Sequence, residues 1–281
     1  VRVLRPRAAA RSAARWVVTV LAWLLVMAGG SATAAVAATQ GPGSSGPVMP
    51  SARSARVGAL FDDSSMSYHY CSASVVHSPG GDLIVTAAHC LSTDPGTTVF
   101  VPGYRDGTAP YGEWKVVDVV EDTRWTADDD TDLDVAFAVV APLHGRTLEQ
   151  VVGANRLETD PDVGDGASVA VTLTGYPQDK DAPITCSNTA SRFADTQLRV
   201  VCADFTDGTS GSPWVVAATG KAADSVGRQG DAIVGVIGGF EQGGYTAGIS
   251  YSSYFDQDTL ALYQQAVRSA ARLGRSGSGR L

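Results

Sequence analysis

Histidine and cysteine are scarce in this chain of 281 residues, four of each. No CxxC pair occurs, and with so few imidazoles a zinc site is not expected. No acidic residue precedes Asp62. The acidic run Asp128-Asp129-Asp130-Thr131-Asp132 lacks the glycine and terminal glutamate of a calcium loop, so it is expected to be a solvated face and no metal is assigned. The G-x-S-x-G elbow is missing, as is any alternation of strand and helix patterns, which excludes an α/β-hydrolase. Glycine and proline, 31 and 13 residues, fall short of a low-complexity or collagen-like composition. With 44% hydrophobic residues the chain can bury a real core, as one large domain or two small ones.

The formal net charge is −8. Five arginines, Arg2, Arg5, Arg7, Arg11 and Arg15, crowd the first fifteen residues. Without those five positive charges the body stands at −13. Such a body repels phosphate backbones, which argues against a nucleic-acid partner, and it attracts basic substrates. After the arginines come the apolar run Trp16 to Ala28 and then small residues with Ala35-Val36-Ala37 and Ala38. This is the pattern of a secretory signal over residues 1–38, and the run is short for a membrane anchor. Export implies an oxidising compartment. Four cysteines permit three pairings, and the economical one is Cys71–Cys90 with Cys186–Cys202, one staple in each half of the chain.

Residues 39–56 are rich in Gly, Ser, Pro and Arg without apolar period and predict a linker or short propeptide, with ordered structure starting near Val57. Beyond it short β-type runs recur between turn signals: 72–77, 82–87, 97–101, 114–120 and 134–140, then 168–173, 198–203, 213–217, 232–238 and 246–251. The pattern is all-β in two sets of strands with a break near 141–165. The exception is the end, where Asp256 or Asp258 can cap a helix with Leu260, Tyr263 and Val267 on one face and Gly274 as a stop. That helix is expected to dock on the second strand set.

Three segments carry chemistry: Thr86-Ala87-Ala88-His89-Cys90, Asp134-Val135-Ala136-Phe137 and Gly208-Thr209-Ser210-Gly211-Ser212-Pro213. A serine hydroxyl is a weak nucleophile that needs a base, imidazole has the pKa for that task, and a carboxylate must hold the right tautomer. In the order His, Asp, Ser these segments resemble the motifs of trypsin-like (chymotrypsin-fold) serine proteases of the secreted bacterial kind, over residues 57–262. The resemblance implies an all-β fold of two perpendicular six-stranded antiparallel barrels with a C-terminal helix, residues 57–150 and 151–255 forming the barrels, 256–273 the helix and 274–281 a flexible tail. It implies His89, Asp134 and Ser210 as catalytic residues and the amides of Gly208 and Ser210 as the oxyanion site. Asp132 would share a strand face with Asp134 at period two, and the family pattern selects Asp134, directly before a small alternating run.

The same resemblance places Asp204, six residues before the serine, at the base of the primary pocket, with Gly238, Gly239, Phe240 and Gly248 as its walls; cleavage after Arg or Lys follows. The family cysteine between Asp204 and Ser210 is absent, and Phe205, Thr206 and Asp207 fill the stretch. Relatives that cut after glutamate place a histidine in the second barrel, and none follows His144 here. His69, His77 and His144 are expected to be surface or packing residues. Where many animal members carry an Asp before the nucleophile, Thr209 stands, so trimming to Val57 is expected to leave activity little changed. The expectation is a monomeric, secreted endopeptidase acting on polypeptides without cofactor and without stable membrane association after signal removal. The alternative is an inactive homologue that serves as an extracellular binding protein.

Overall fold

A strand that is apolar at consecutive positions must bury both faces, and three segments of the first half read this way: Val-Gly-Ala-Leu-Phe, Leu-Ile-Val-Thr and Ala-Phe-Ala-Val-Val. The computed structural model describes residues 41–91, 96–163, 166–218 and 230–278, with side chains to 275. In it these segments are β2 (Val57–Phe61), β4 (Leu83–Thr86) and β7 (Ala136–Val140). With β3 (His69–Val76), β5 (Val99–Pro102) and β6 (Trp114–Val120) they close a six-stranded antiparallel barrel in the order β2-β3-β4-β7-β6-β5. Alternate residues Ile84, Ala136, Ala138 and Val140 fill its interior with Leu60, Phe100 and Trp114. Their neighbours Leu83, Val85, Phe137 and Val139 point outward and are equally buried.

What covers that outward face is the C-terminal helix α3 (Gln257–Ser278), whose Leu262, Ala266 and Ala270 pack on it together with Ile233 and Val236 of the second half. Docking is therefore on the first barrel, not on the second strand set. The apolar outward residues of β4 and β7 need a cover, and burying each large aliphatic side chain contributes about 1.5–3 kcal/mol. Asp256 supplies the cap, its Oδ1 accepting from the amides of Asp258 and Thr259 at 2.9 and 3.3 Å. The helix runs on through Gly274 to Ser278.

The second half is a sheet built from β9 (Ser168–Gly175), β10 (Ile184–Ala194), β11 (Gln197–Val200), β12 (Pro213–Val216), β13 (Ala232–Val236) and β14 (Ser250–Ser253), in the order β14-β11-β10-β9-β12-β13. Two-residue strands extend it: β1 (Gly46–Pro47) pairs with β10, and β8 (Arg156–Leu157) lies parallel to β13. Its ends do not form a ladder. Val236 N–H donates to the Ser252 side chain at 3.0 Å, and Gly238 N–H to Tyr251 O at 3.0 Å. The two ends thus meet through one side-chain and one main-chain bond.

Residues 41–56 are docked rather than free. Gly43 N–H donates to Val201 O at 2.9 Å, Val48 is buried, and a 3-10 turn at Ser54–Arg56 leads directly into β2. Arg53 and Arg56 both reach the buried Asp231, at 2.8 and 3.7 Å. Two further elements carry no strong apolar period and escape a sequence reading: α1 (Thr123–Asp128) and α2 (Leu148–Val152), the latter closed by a Thr147/Gln150 capping box. No described helix is long and apolar enough to cross a membrane. The expected signal, residues 1–38, lies outside the described residues.

Candidate active site

His89 lies in a 3-10 turn (Ala88–Cys90) at the end of β4, and the Cys71–Cys90 disulfide, with Cα atoms 6.1 Å apart, ties that turn to β3. The Cys186–Cys202 bridge likewise ties β10 to the segment that follows β11, with Cα atoms 6.0 Å apart. Both pairings are those expected. The thiols of Cys71 and Cys90, beside His89, are consumed by the bridge and offer no metal ligand.

Asp134 is completely buried. It receives three donors: His89 N–H at 3.0 Å, His89 Nδ1–H at 2.8 Å and Gly239 N–H at 2.9 Å. A carboxylate only accepts, so in this pair His89 Nδ1 is the donor. Asp132 does not share this site. It sits in a 3-10 turn (Thr131–Leu133) rather than an extended strand, and its Oδ1 accepts from Gln197 Nε2 at 2.7 Å. Asp130 caps the same turn by accepting from Asp132 N–H, so these acids serve local structure.

Ser210 is carried by the loop before β12. Its carbonyl accepts from Ser72 N–H at 2.7 Å, and Gly211 N–H donates to Ile237 O at 2.7 Å. Gly211, at φ +80°, lies so close to Thr86 Oγ1 and Ser72 O that a Cβ has no room. Thr86 is three residues before His89, so the serine loop is pressed against the strand that delivers the imidazole. Gly208, at φ +86°, is equally confined: a Cβ there would fall 2.7 Å from the Gln178 nitrogen and the Tyr176 carbonyl oxygen. Among the described residues the amides of Gly208 and Ser210 have no protein acceptor, whereas Thr209 N–H between them donates to Thr206 O at 3.1 Å. Two unspent, neighbouring donors beside a serine can receive an oxyanion.

A cavity of about 270 Å³ opens beside Ser210, lined by Phe205, Thr206, Asp207, Thr209, Ile237 and residues 242–247. Asp204 is not among them. It is exposed, at φ +65°, because Phe205 turns inward and donates its amide to Ala247 O at 3.0 Å. Without the family cysteine the loop is rebuilt, and Asp207 is the one charged residue on the cavity wall. The expected walls Gly238, Gly239, Phe240 and Gly248 do not line this cavity. Gly239 donates to Asp134, and Gly238 packs against it. A Cβ at Gly248 would meet no atom within 4 Å. Phe240 stacks in a cluster with Phe193, Tyr245 and Tyr251, centroids 5.3, 5.9 and 5.0 Å away.

Sequence reasoning missed Glu121. Its carboxyl follows β6, one oxygen is buried without a hydrogen-bond partner, and burial, reinforced by the charge of Asp134, pushes its pKa above the usual glutamate range. Only the fold places it near Asp134. His69 is buried and bonded through Nε2 to Pro177 O at 3.1 Å, His77 pairs with Glu149 at 2.7 Å, and His144 is exposed.

The trypsin-like peptidase domain family model matches residues 71–223, more than half of the chain. No curated protein matches. Among solved structures, the protease Anisep from Arthrobacter nicotinovorans superposes with a TM-score of 0.62 at 26% identity, covering 80% of this chain and 99% of its own. The thermostable serine protease AL20 from an extremophilic microorganism gives 0.61 at 25% identity, covering 78% and 99%. A Glu endopeptidase in complex with MPD gives 0.61 at 16% identity, covering 81% and 98%, a likeness of fold alone.

Proposed function

Because the chain belongs to the trypsin-like peptidase family and is thereby a serine-type peptidase, we propose that it is an exported endopeptidase in which Ser210 is the nucleophile, His89 the base and Asp134 the orienting acid. The observation that carries the assignment is the buried Asp134 with its three donors, two of them from His89. Ser210 Oγ attacks the scissile carbonyl carbon as its proton passes to His89 Nε2. The oxyanion is received by the Gly208 and Ser210 amides, and the imidazolium, held by Asp134, returns the proton to the departing amine. Water then repeats the sequence on the acyl-enzyme, releasing the acid and restoring Ser210. The mechanism needs no cofactor. The N-terminal arginine-led apolar run and the two disulfides support export.

For specificity we propose cleavage after Arg or Lys, with the cation seated against Asp207 rather than Asp204. Asp207 lines the cavity beside Ser210, and the acidic body favours cationic substrates. A glutamate side chain would be repelled by the same carboxylate. Two experiments test the two parts: a fluorophosphonate is expected to label the mature chain and not Ser210→Ala. In a peptide p-nitroanilide panel, Asp207→Asn is expected to lose about tenfold on Arg and Lys substrates and little on Leu, with Asp204→Asn unchanged. Labelling of Ser210→Ala would remove the assignment of the nucleophile. A panel preference for aliphatic or acidic residues would remove the basic pocket.

A further inference from the structure

Four successive peptide groups, from Asp207–Gly208 to Ser210–Gly211, build the loop that carries Ser210. Of their eight polar groups six are paired. The carbonyls of Asp207, Gly208, Thr209 and Ser210 accept from Gln178 N–H, Ser72 Oγ–H, Ser212 N–H and Ser72 N–H at 2.8, 3.0, 3.0 and 2.7 Å. Thr209 and Gly211 donate to Thr206 O and Ile237 O. The two left over are the Gly208 and Ser210 amides. These four peptides are trans, so N–H and C=O of one group point in opposite directions. Whatever holds the Asp207 and Thr209 carbonyls therefore aims the two free amides.

One side chain links this loop to the segment behind it. Ser72, fully buried on β3, donates its hydroxyl to Gly208 O while accepting from Tyr176 N–H at 2.9 Å, and its own amide holds Ser210 O. The 176–178 segment in turn supplies the Gln178 amide that holds Asp207 O. Besides the Tyr176 hydroxyl, which donates to Val57 O at 3.3 Å, it is anchored by His69, also on β3, bonded to Pro177 O at 3.1 Å and packed among Phe61, Tyr104 and Tyr176 with ring centroids 5.8, 5.9 and 6.2 Å away.

We infer that Ser72 and His69 are positioning residues for the oxyanion site: they clamp residues 176–178 onto the serine loop and so hold the Gly208 amide in the direction a developing oxyanion requires. The inference rests on the assignment of Ser210 and its neighbouring amides given above. A serine at position 72 uses three polar contacts at once, and alanine there leaves Gly208 O and Tyr176 N–H buried without a partner. The Asp207–Gly208 peptide is then free to rotate with its support, and rotation withdraws the amide from the reacting oxygen. Ground-state binding in the cavity, whose walls are residues 205–209 and 242–247, is little affected, so the loss falls on kcat.

The test compares Ser72→Ala with the wild type on the best-cleaved member of a peptide p-nitroanilide panel, rates being normalised to sites counted by exhaustive fluorophosphonate labelling. The expected result is a kcat reduced by about 10–100-fold with KM within about twofold, and affinity for a peptide boronate falling by the same factor while that for the product peptide is unchanged. A kcat per labelled site within about twofold of wild type, or equal weakening of boronate and product peptide, would overturn the inference. If Ser72→Ala does not fold, His69→Leu and His69→Gln decide: the leucine loses kcat by about fivefold or more and the glutamine, whose amide can still donate to Pro177 O, recovers most of it. Equal rates for the two variants would overturn it. A wild type that no fluorophosphonate labels would instead overturn the assignment of Ser210, on which the inference depends.

Discussion

Asp132 and Asp134 are two residues apart, and an extended strand would have presented both carboxylates to the same face. The 3-10 turn between them breaks that period, sending one to Gln197 and the other to His89. Asp134→Asn is expected to reduce kcat by about 10⁴-fold, because an amide at that position favours the wrong imidazole tautomer, and Asp132→Asn to leave it within about twofold. Hydrolysis rates on one substrate check both, and the reverse order would exchange their roles. The pairing of Asp134 with His89 was legible as a candidate because their motifs fix both residue type and chain neighbours. Asp204 was not, since its role depended on a loop geometry that a missing cysteine removes. Glu121 was invisible, its proximity to Asp134 being a product of the β6–β7 pairing, which sets Val120 opposite Phe137. In the unfolded chain Glu121 ionises in the ordinary glutamate range; in the fold burial, and then Asp134, hold its proton to higher pH. Its contribution to stability is therefore full at low pH and lost as pH rises through the raised value. The melting temperature of Glu121→Gln relative to wild type is expected to rise between about pH 4 and pH 8; a difference independent of pH would show that the buried carboxyl ionises without penalty.

Strands whose apolar residues are continuous or regularly alternating were visible in the sequence, and β6 falls at its expected bounds. The longest strand, β10, was not, because Ile-Thr-Cys-Ser-Asn-Thr-Ala-Ser-Arg-Phe-Ala is mostly polar and becomes a strand through pairing with β9 and β11, not through its own pattern. The helix was recognised from its cap and period, but its docking site was misplaced. Its partner is the outward half of β4 and β7, and a run apolar on both faces does not announce which neighbour covers which face. That placement has an energetic consequence. Leu262 is buried between the helix and this face, and Leu262→Ala is expected to lower the free energy of unfolding by about 2–5 kcal/mol. Denaturant unfolding measures it, and a loss below about 0.5 kcal/mol, the size of a surface substitution, would contradict the docking on β4 and β7.

At the scale of the whole molecule, His89 and Asp134 come from the first half and Ser210 from the second, so the proposed chemistry depends on how the halves are fastened. The fastenings include the Ser72 and Gly211 contacts, the Gly239 bond to Asp134, and residues 41–56, which pair with β10 and then enter β2. Within that strap Arg53 and Arg56 neutralise Asp231, a carboxylate with a side chain only 7% exposed, and Arg56 also donates to Asn155 at 3.0 Å. A chain cut after Arg56 retains the buried Asp231 while losing Arg53, and Arg56 departs with it. Because Arg53 is largely exposed and Arg56 partly so, leaving the Asp231 carboxylate without them costs about 1–3 kcal/mol, which for a domain of this size lowers the melting temperature by roughly 2–12 °C. Activity follows a different rule. The new ammonium at Val57 would need an acid beside Ser210 to form an activating pair, and Thr209 cannot supply one. The trimmed protein is therefore expected to melt earlier than the full chain while its kcat/KM at about 20 °C stays within a few-fold. A tenfold or greater gain in kcat/KM on cutting, with the melting temperature unchanged, would mean that the strap is a removable inhibitor and not a fastening.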